Sequence, residues 1–126
     1  MNMNFKIDTK EKFNEITLLE PHLSANMTYE LEQLFTQLLE TPVKNVVLSL
    51  SPVKEIDTEA GDKIASLQQL FYESGASFVI CEIQQAVESL LAANDLLENM
   101  NFTPTISEAW DIVQLEEIER EMLDGF

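Results

Sequence analysis

The sequence is short of the residues from which most enzyme chemistry is built. It has one histidine, His22, and one cysteine, Cys81. A lone cysteine excludes an internal disulfide. A lone histidine excludes the histidine pairs on which many metal sites rest, so no metal is expected. Cys81 ends the apolar run Phe78-Val79-Ile80-Cys81 and reads as a small buried hydrophobe, not a reactive thiol. His22 follows Pro21 and reads as a turn residue at the surface. Glycine and proline, at 3 and 4 residues, are too few for long flexible linkers. There is no glycine-rich phosphate loop and no GxSxG elbow. No stretch approaches the roughly eighteen apolar residues of a membrane span. The opening Met1-Asn2-Met3-Asn4-Phe5-Lys6 lacks an apolar core of signal-peptide length, so the expected location is cytoplasmic. Cations are scarce as well: 7 Lys and Arg stand against 23 Asp and Glu, for a net charge of -16. Such a field repels phosphate backbones and anionic lipid surfaces. It argues against nucleic acid and membrane insertion, and for a protein partner with a basic or mixed face.

What is present suits one domain spanning 1–126: 126 residues with a hydrophobic fraction of 45%. Residues 3–8 and 15–20 read as short strands, the second built on Ile16, Leu18 and Leu19 and ended by Pro21. Ser24 is the expected cap of an amphipathic helix whose stripe is Met27, Leu31, Leu34, Phe35 and Leu38, with Thr41-Pro42 as its stop. Val46 to Leu50 is apolar without alternation, as suits a strand covered on both faces. After the break at Ser51-Pro52, a second helix is predicted from Asp57 or Thr58, with Ile64, Leu67, Leu70 and Phe71 inward and Gly75 just past its end. Phe78 to Ile83 is the next strand, which makes 46–83 a βαβ unit. A short helix over 85–93 rests on Ala86, Val87, Leu90 and Leu91, and a turn-rich stretch runs from Asn94 to Met100. An edge strand over Phe102–Ile106 follows, where Pro104 is tolerable. Ser107 is the expected cap of a final helix with the stripe Ile112, Leu115, Ile118 and Met122 among Glu116, Glu117, Glu119, Glu121 and Asp124. The fold class is α/β: a mixed, mostly parallel sheet of about 4–5 strands with about four helices.

One segment stands out chemically. Ile56-Asp57-Thr58-Glu59-Ala60-Gly61 joins a buried strand to an amphipathic helix. Asp57 and Thr58 carry oxygens suited to capping, and Glu59 lies in the first turn, where free N–H groups favour negative charge. By itself this is a well-capped helix start.

The order of the pieces adds to it. Val46-Val47-Leu48-Ser49-Leu50-Ser51-Pro52-Val53-Lys54-Glu55-Ile56-Asp57-Thr58 resembles the central signature of STAS domains: an apolar strand, a turn, then Asp and hydroxyl residues opening a helix. Phe78-Val79-Ile80 is similar to the next family strand, Val87 and Leu90 to its third helix, and Phe102 to Ala109 to its closing strand and last helix start. The resemblance gives a core of about 3–115, with an acidic helical extension over about 107–124. It implies a protein-binding domain and no enzyme. The best-known members are anti-sigma factor antagonists, which bind an anti-sigma factor that is also a serine kinase. In them a hydroxyl at the helix start is phosphorylated, which places negative charge at a partner-facing surface.

Three positions depart from the family pattern. Glu59 stands where the accepting hydroxyl is expected, Ala60 stands at the usual glycine with Gly61 after it, and Ser49 replaces the acidic residue of the central strand. A carboxylate takes no phosphate from a serine kinase, so the ordinary serine switch is not expected. Glu59 is then a plain helix-start residue, or a fixed charge imitating phosphate, or Thr58 is the phosphate acceptor in its stead. The resemblance implies partner-binding residues Ser49, Ser51, Asp57, Thr58, Glu59, Ala60 and Gly61, and no cofactor. The partner is an anti-sigma factor of the serine-kinase kind. The alternative is the ATPase of a lipid-transport ABC complex, in which STAS domains serve as accessory subunits. The last helix packs on its own domain, or else meets a partner or a second copy in a homodimer.

Overall fold

Val46–Ser49 is buried at every residue, as its unbroken apolar run predicts, and so is Phe78–Cys81. These two strands form the centre of the fold. The computed structural model describes residues 3–124; residues 1, 2, 125 and 126 of the expected span, and the side chain of Asp124, lie outside the described residues. In chain order the strands are β1 (Phe5–Thr9), β2 (Asn14–Leu18), β3 (His22–Leu23), β4 (Val46–Ser49), β5 (Glu55–Ile56), β6 (Phe78–Cys81) and β7 (Phe102–Thr103). The helices are α1 (Thr28–Leu38), α2 (Thr58–Glu73), α3 (Gln85–Ala93) and α4 (Ile106–Asp124), with short 3-10 turns at Ala25–Met27 and Leu97–Asn99. The main sheet has five strands in the order β1-β2-β4-β6-β7. Only β1 is antiparallel to its neighbour; β2, β4, β6 and β7 run parallel. The mixed α/β architecture expected from the sequence is therefore present. A second sheet, not expected from the sequence, pairs β3 with β5 in parallel. Two-residue strands carry no periodicity to read.

The period of two along each strand sorts side chains onto two faces. Ile16, Leu18, Val46, Leu48, Phe78 and Ile80 face α1 and α2, where Leu31, Phe35, Ile64, Leu67 and Phe71 complete the larger core. Phe78 touches two rings there, Phe35 at 4.9 Å between centroids and Phe71 edge-on at 5.1 Å. Val47, Val79 and Cys81 face the other way and are covered by Ala109 and Val113 of α4, with Phe13 stacked on Trp110. Gln68 is the buried polar residue that ties the short β7 to the sheet. Its amide donates to the carbonyls of Phe78 and Asn101 at 3.0 and 2.9 Å, and its oxygen accepts the Asn101 N–H.

Several expected boundaries move for identifiable reasons. The α2 stripe holds at Ile64, Leu67 and Phe71, but Leu70 lies off it and is exposed. Gly75 is where the pattern put it, at a φ of 75°. The Ala76 N–H bonds Phe71 O and the Gly75 N–H bonds Tyr72 O, which together close the helix in a Schellman motif. The strand expected to Ile83 ends at Cys81, because Glu82 turns the chain at a φ of 59°. The edge strand expected to Ile106 is β7 alone. The cap of α4 is Thr105, not Ser107: its hydroxyl accepts the Glu108 N–H at 3.1 Å. Ser24 precedes its 3-10 turn without a side-chain cap.

The largest correction concerns α4. Its inward stripe is Ile106, Ala109 and Val113, with Trp110 and Ile112 at the margin. The expected stripe beyond Ile112 faces outward: Leu115, Ile118 and Met122 are 58%, 52% and 59% exposed. That part of the helix does not pack its apolar residues on its own domain. Apolar residues lie on both sides of α4, and periodicity alone cannot say which side meets the sheet.

Candidate functional site

The expected site residues run from the carboxyl end of β4, through a turn and β5, to the first turn of α2. In open α/β sheets the carboxyl edge is where strands release the chain into binding loops. β4 ends at Ser49, and a turn closed by the Val53 N–H on Leu50 O leads through β5 to Asp57. Asp57 is extended, at a φ of -79° and ψ of 150°, in the cap position of α2. Its backbone N–H binds Leu23 O and its carbonyl accepts the Gly61 N–H, so the backbone alone fixes where α2 starts.

The carboxylate of Asp57 does not cap α2, contrary to what its position suggests. It reaches across to the segment before α1. There Oδ1 lies 2.8 Å from His22 Nε2, and Oδ2 accepts the Ala25 N–H at 2.9 Å. An ionised carboxylate can only accept, so Nε2 carries the proton. Glu55 comes within 4.0 Å of the other ring nitrogen. The hydrogen bond to Asp57 raises the His22 pKa above its ordinary value. The same bond, then the Ala25 N–H, lowers that of Asp57. The sole histidine, read from sequence as a turn residue, is thus one end of a tie between β3 and α2. Nothing in a 35-residue separation marks that contact.

With Asp57 engaged elsewhere, no side chain among the described residues caps α2. Thr58 is its first residue and half-buried, and Glu59 after it is exposed. Ala60 and Gly61 turn inward and are buried. A Cβ built on Gly61 would lie 2.9 Å from Leu91 Cδ2 and 3.0 Å from Leu96 Cδ1. The absence of a side chain there lets α3 and the turn after it close on α2.

Ser49 and Ser51 belong to a second cluster. Ser49 is 1% exposed. Its hydroxyl donates to Glu82 Oε1 at 2.7 Å and accepts the Ser51 N–H at 3.3 Å. Gln84, just before α3, donates to Ser51 O at 2.6 Å. The left-handed turn at Glu82 delivers a carboxylate from the end of β6 to the end of β4, where it accepts from Ser49. Glu82 and Gln84 escaped the sequence reading; the only signal was a charged residue directly after an apolar strand. Asp57 and Ser49 are linked through the chain between them, and their hydrogen-bonded partners differ.

Among the described residues, no group of three or more His, Cys, Asp or Glu could hold a metal ion. Two open surface grooves of about 580 and 550 Å³ lie elsewhere, and neither includes an expected site residue. What the α2 start offers is a surface: an exposed carboxylate and a half-buried hydroxyl on a helix end fixed by its backbone.

The family model for the STAS domain matches residues 6–109. A search of curated proteins gives no match. Among solved structures, a Thermotoga maritima protein assigned as an anti-sigma factor antagonist is 22% identical, with a TM-score of 0.73 over 87% of this chain and 94% of that one. An anti-sigma factor antagonist from Mycobacterium paratuberculosis is 13% identical, with a TM-score of 0.76 over 90% and 95%. The murine anion transporter Slc26a9 is 17% identical, with a TM-score of 0.65 over 82% of this chain and 18% of the transporter.

Proposed function

This chain belongs to the STAS domain family, and on that premise we propose that it is a regulatory protein-binding module of the anti-sigma factor antagonist kind, not an enzyme. Its partner is an anti-sigma factor of the serine-kinase type, and contact is made through Asp57, Thr58 and Glu59 together with Ser51, while the buried Ala60, Gly61 and Ser49 shape that surface from behind. The observation that carries this reading is the placement of Glu59. It is exposed in the first turn of an uncapped α2, where the family resemblance expects an accepting hydroxyl. Ala60 and Gly61 act behind it by letting α3 pack close. Binding therefore proceeds without the ordinary serine switch, with Glu59 supplying a fixed charge that a kinase cannot add or remove. A carboxylate carries one charge and two oxygens, so it imitates phosphate only in part.

A second reading has one observation in its favour: the same fold forms part of the Slc26a9 transporter chain. In that reading the chain is an accessory subunit docked on a transport ATPase, such as that of a lipid-transport ABC complex. Affinity capture of the tagged chain from its host, with mass spectrometry of what is retained, separates the two. Capture of a serine-kinase regulator, with binding altered by Glu59→Ser and the serine phosphorylated when ATP is supplied, is expected. Capture of a transport ATPase, indifferent to Glu59→Ser and Thr58→Ala, would replace the first reading by the second. Stoichiometric phosphate on Thr58 in cells would overturn the absence of a hydroxyl switch.

A further inference from the structure

The outer half of α4 has two sides with opposite attachments. On its inner side, Glu117 accepts from Asn45 Nδ2 at 2.5 Å, Arg120 donates to Ser77 Oγ at 3.2 Å, and Glu116 accepts from Asn101 Nδ2 at 3.2 Å. Asn45, Ser77 and Asn101 are the residues immediately before β4, β6 and β7. The helix is thus pinned to the start of each of three parallel strands. These bonds prevent it from rolling to cover its other side.

The other side carries an exposed apolar ridge. At about 100° per residue, Leu115, Ile118 and Met122 fall within about 60° of one another, roughly opposite Val113. All three are more than half exposed. Glu108, Asp111 and Glu119 share this outer side and are exposed too. The only cation of α4, Arg120, is held inward by Ser77. The ridge lies wholly beyond residue 109, where the family match ends.

We propose that this outer side of α4 is a second interaction surface, separate from the α2 start, and that it receives a basic amphipathic helix from a partner protein. The partner's apolar stripe lies along Leu115, Ile118 and Met122, and its Lys or Arg flanks meet Glu108, Asp111 and Glu119. Charge selects this occupant over the others. A second copy would set the same carboxylates against each other with no cation on either side to offset them. An anionic lipid surface repels the flanks, and helices that lie on membranes carry basic flanks instead. The surface stands or falls independently of what binds at Glu59.

The test uses the whole chain and a synthetic helix-forming peptide of about eighteen residues, which spans five turns. The peptide has a Leu/Ile stripe flanked by Lys; a control has the same stripe flanked by Glu. Amide shifts of the ¹⁵N-labelled protein report where each binds. The Lys peptide is expected to move residues 108–122, with affinity falling as salt screens the charges. The Glu peptide is expected to leave them unmoved. Leu115→Ser with Ile118→Ser weakens the Lys peptide at least about tenfold, and a near-unchanged urea midpoint shows that the fold persists, as expected for exposed positions. Equal binding of both peptides, binding of neither, or shifts centred on Thr58–Gly61 would overturn the proposal. So would a sedimenting dimer that this double substitution dissociates, or binding to phosphatidylcholine vesicles.

Discussion

Replacing glycine inside a helix by alanine ordinarily stabilises a protein, and Gly61→Ala is the place in this fold where it is expected to fail. At an unhindered helical site the exchange gains about 1 kcal/mol from propensity. Here the new methyl would stand 2.9 Å from Leu91 Cδ2 and 3.0 Å from Leu96 Cδ1, against about 3.5–4.0 Å for a comfortable carbon contact. Leu96 is half-buried, whereas Leu91 is fully buried. Overpacking a filled core costs about 1–3 kcal/mol. The two effects leave Gly61→Ala between neutral and about 2 kcal/mol destabilising. A double-mutant cycle isolates the cause. Leu91→Ala alone costs about 2–5 kcal/mol by opening a cavity. With that side chain removed, the alanine at 61 recovers its propensity gain, so the pair is less damaging than the sum by about 1 kcal/mol or more. Urea denaturation of the four proteins, with slopes compared to verify a common unfolded state, measures this. If Gly61→Ala stabilises the wild type by the full propensity gain, or acts equally in both backgrounds, close approach of α3 is not what requires glycine.

The tie between His22 and Asp57 makes stability depend on pH at both ends. Protonated His22 contributes fully below its ordinary pKa of 6.5 and loses its contribution as pH rises through the raised folded value. Asp57 contributes above its ordinary 3.8 and loses its share as pH falls through its lowered folded value. The advantage of wild type over His22→Gln, followed by urea midpoints, is therefore expected to be largest between those two ordinary values; a difference independent of pH would refute the tie. Burial pushes the Cys81 thiol up to about 12, so thiol reagents at pH 8 are expected to label it only as fast as the domain opens; prompt labelling of the folded protein would contradict this. Asn45 is buried, its side chain donating to Lys12 O and Glu117 and accepting the Ser77 N–H. Asn45→Ala is expected to cost about 1–3 kcal/mol by leaving buried groups without partners, and a urea midpoint equal to wild type would exclude that role.

The parts of the fold that were legible in sequence are those where one element's own pattern decides. β4 and β6 announce themselves as apolar runs because both faces are covered. The α2 stripe and Gly75 are set by helical geometry within a single element. The segment from Asp57 to Gly61 could be placed at a helix start for the same reason. What was not legible depends on a second element. Asp57 was assigned to the helix it precedes, because its attachment to His22 and Ala25 lies over thirty residues away in the chain. The pairing of Ser49 with Glu82 required knowing that β4 and β6 are neighbours. Which side of α4 meets the sheet was not legible, because both of its sides carry apolar residues and only the sheet decides between them.

The strand order has a kinetic consequence. The middle of the chain builds the middle of the sheet, and the chain's earliest strand forms one rim. β1 is exposed along its whole length and has one neighbour, whereas β4 and β6 are buried throughout and have one on each side. Local opening follows that gradient. Amides of β1 exchange with solvent through fraying that leaves the rest intact, while those of β4 and β6 wait for the whole domain to unfold. The start of α2 follows the end of β4 through one turn and β5, and the inner edge of α4 is bonded to residues beside β4 and β6. A load applied to either helix is therefore carried to the slowest-opening strands of the molecule, while the rim is free to breathe.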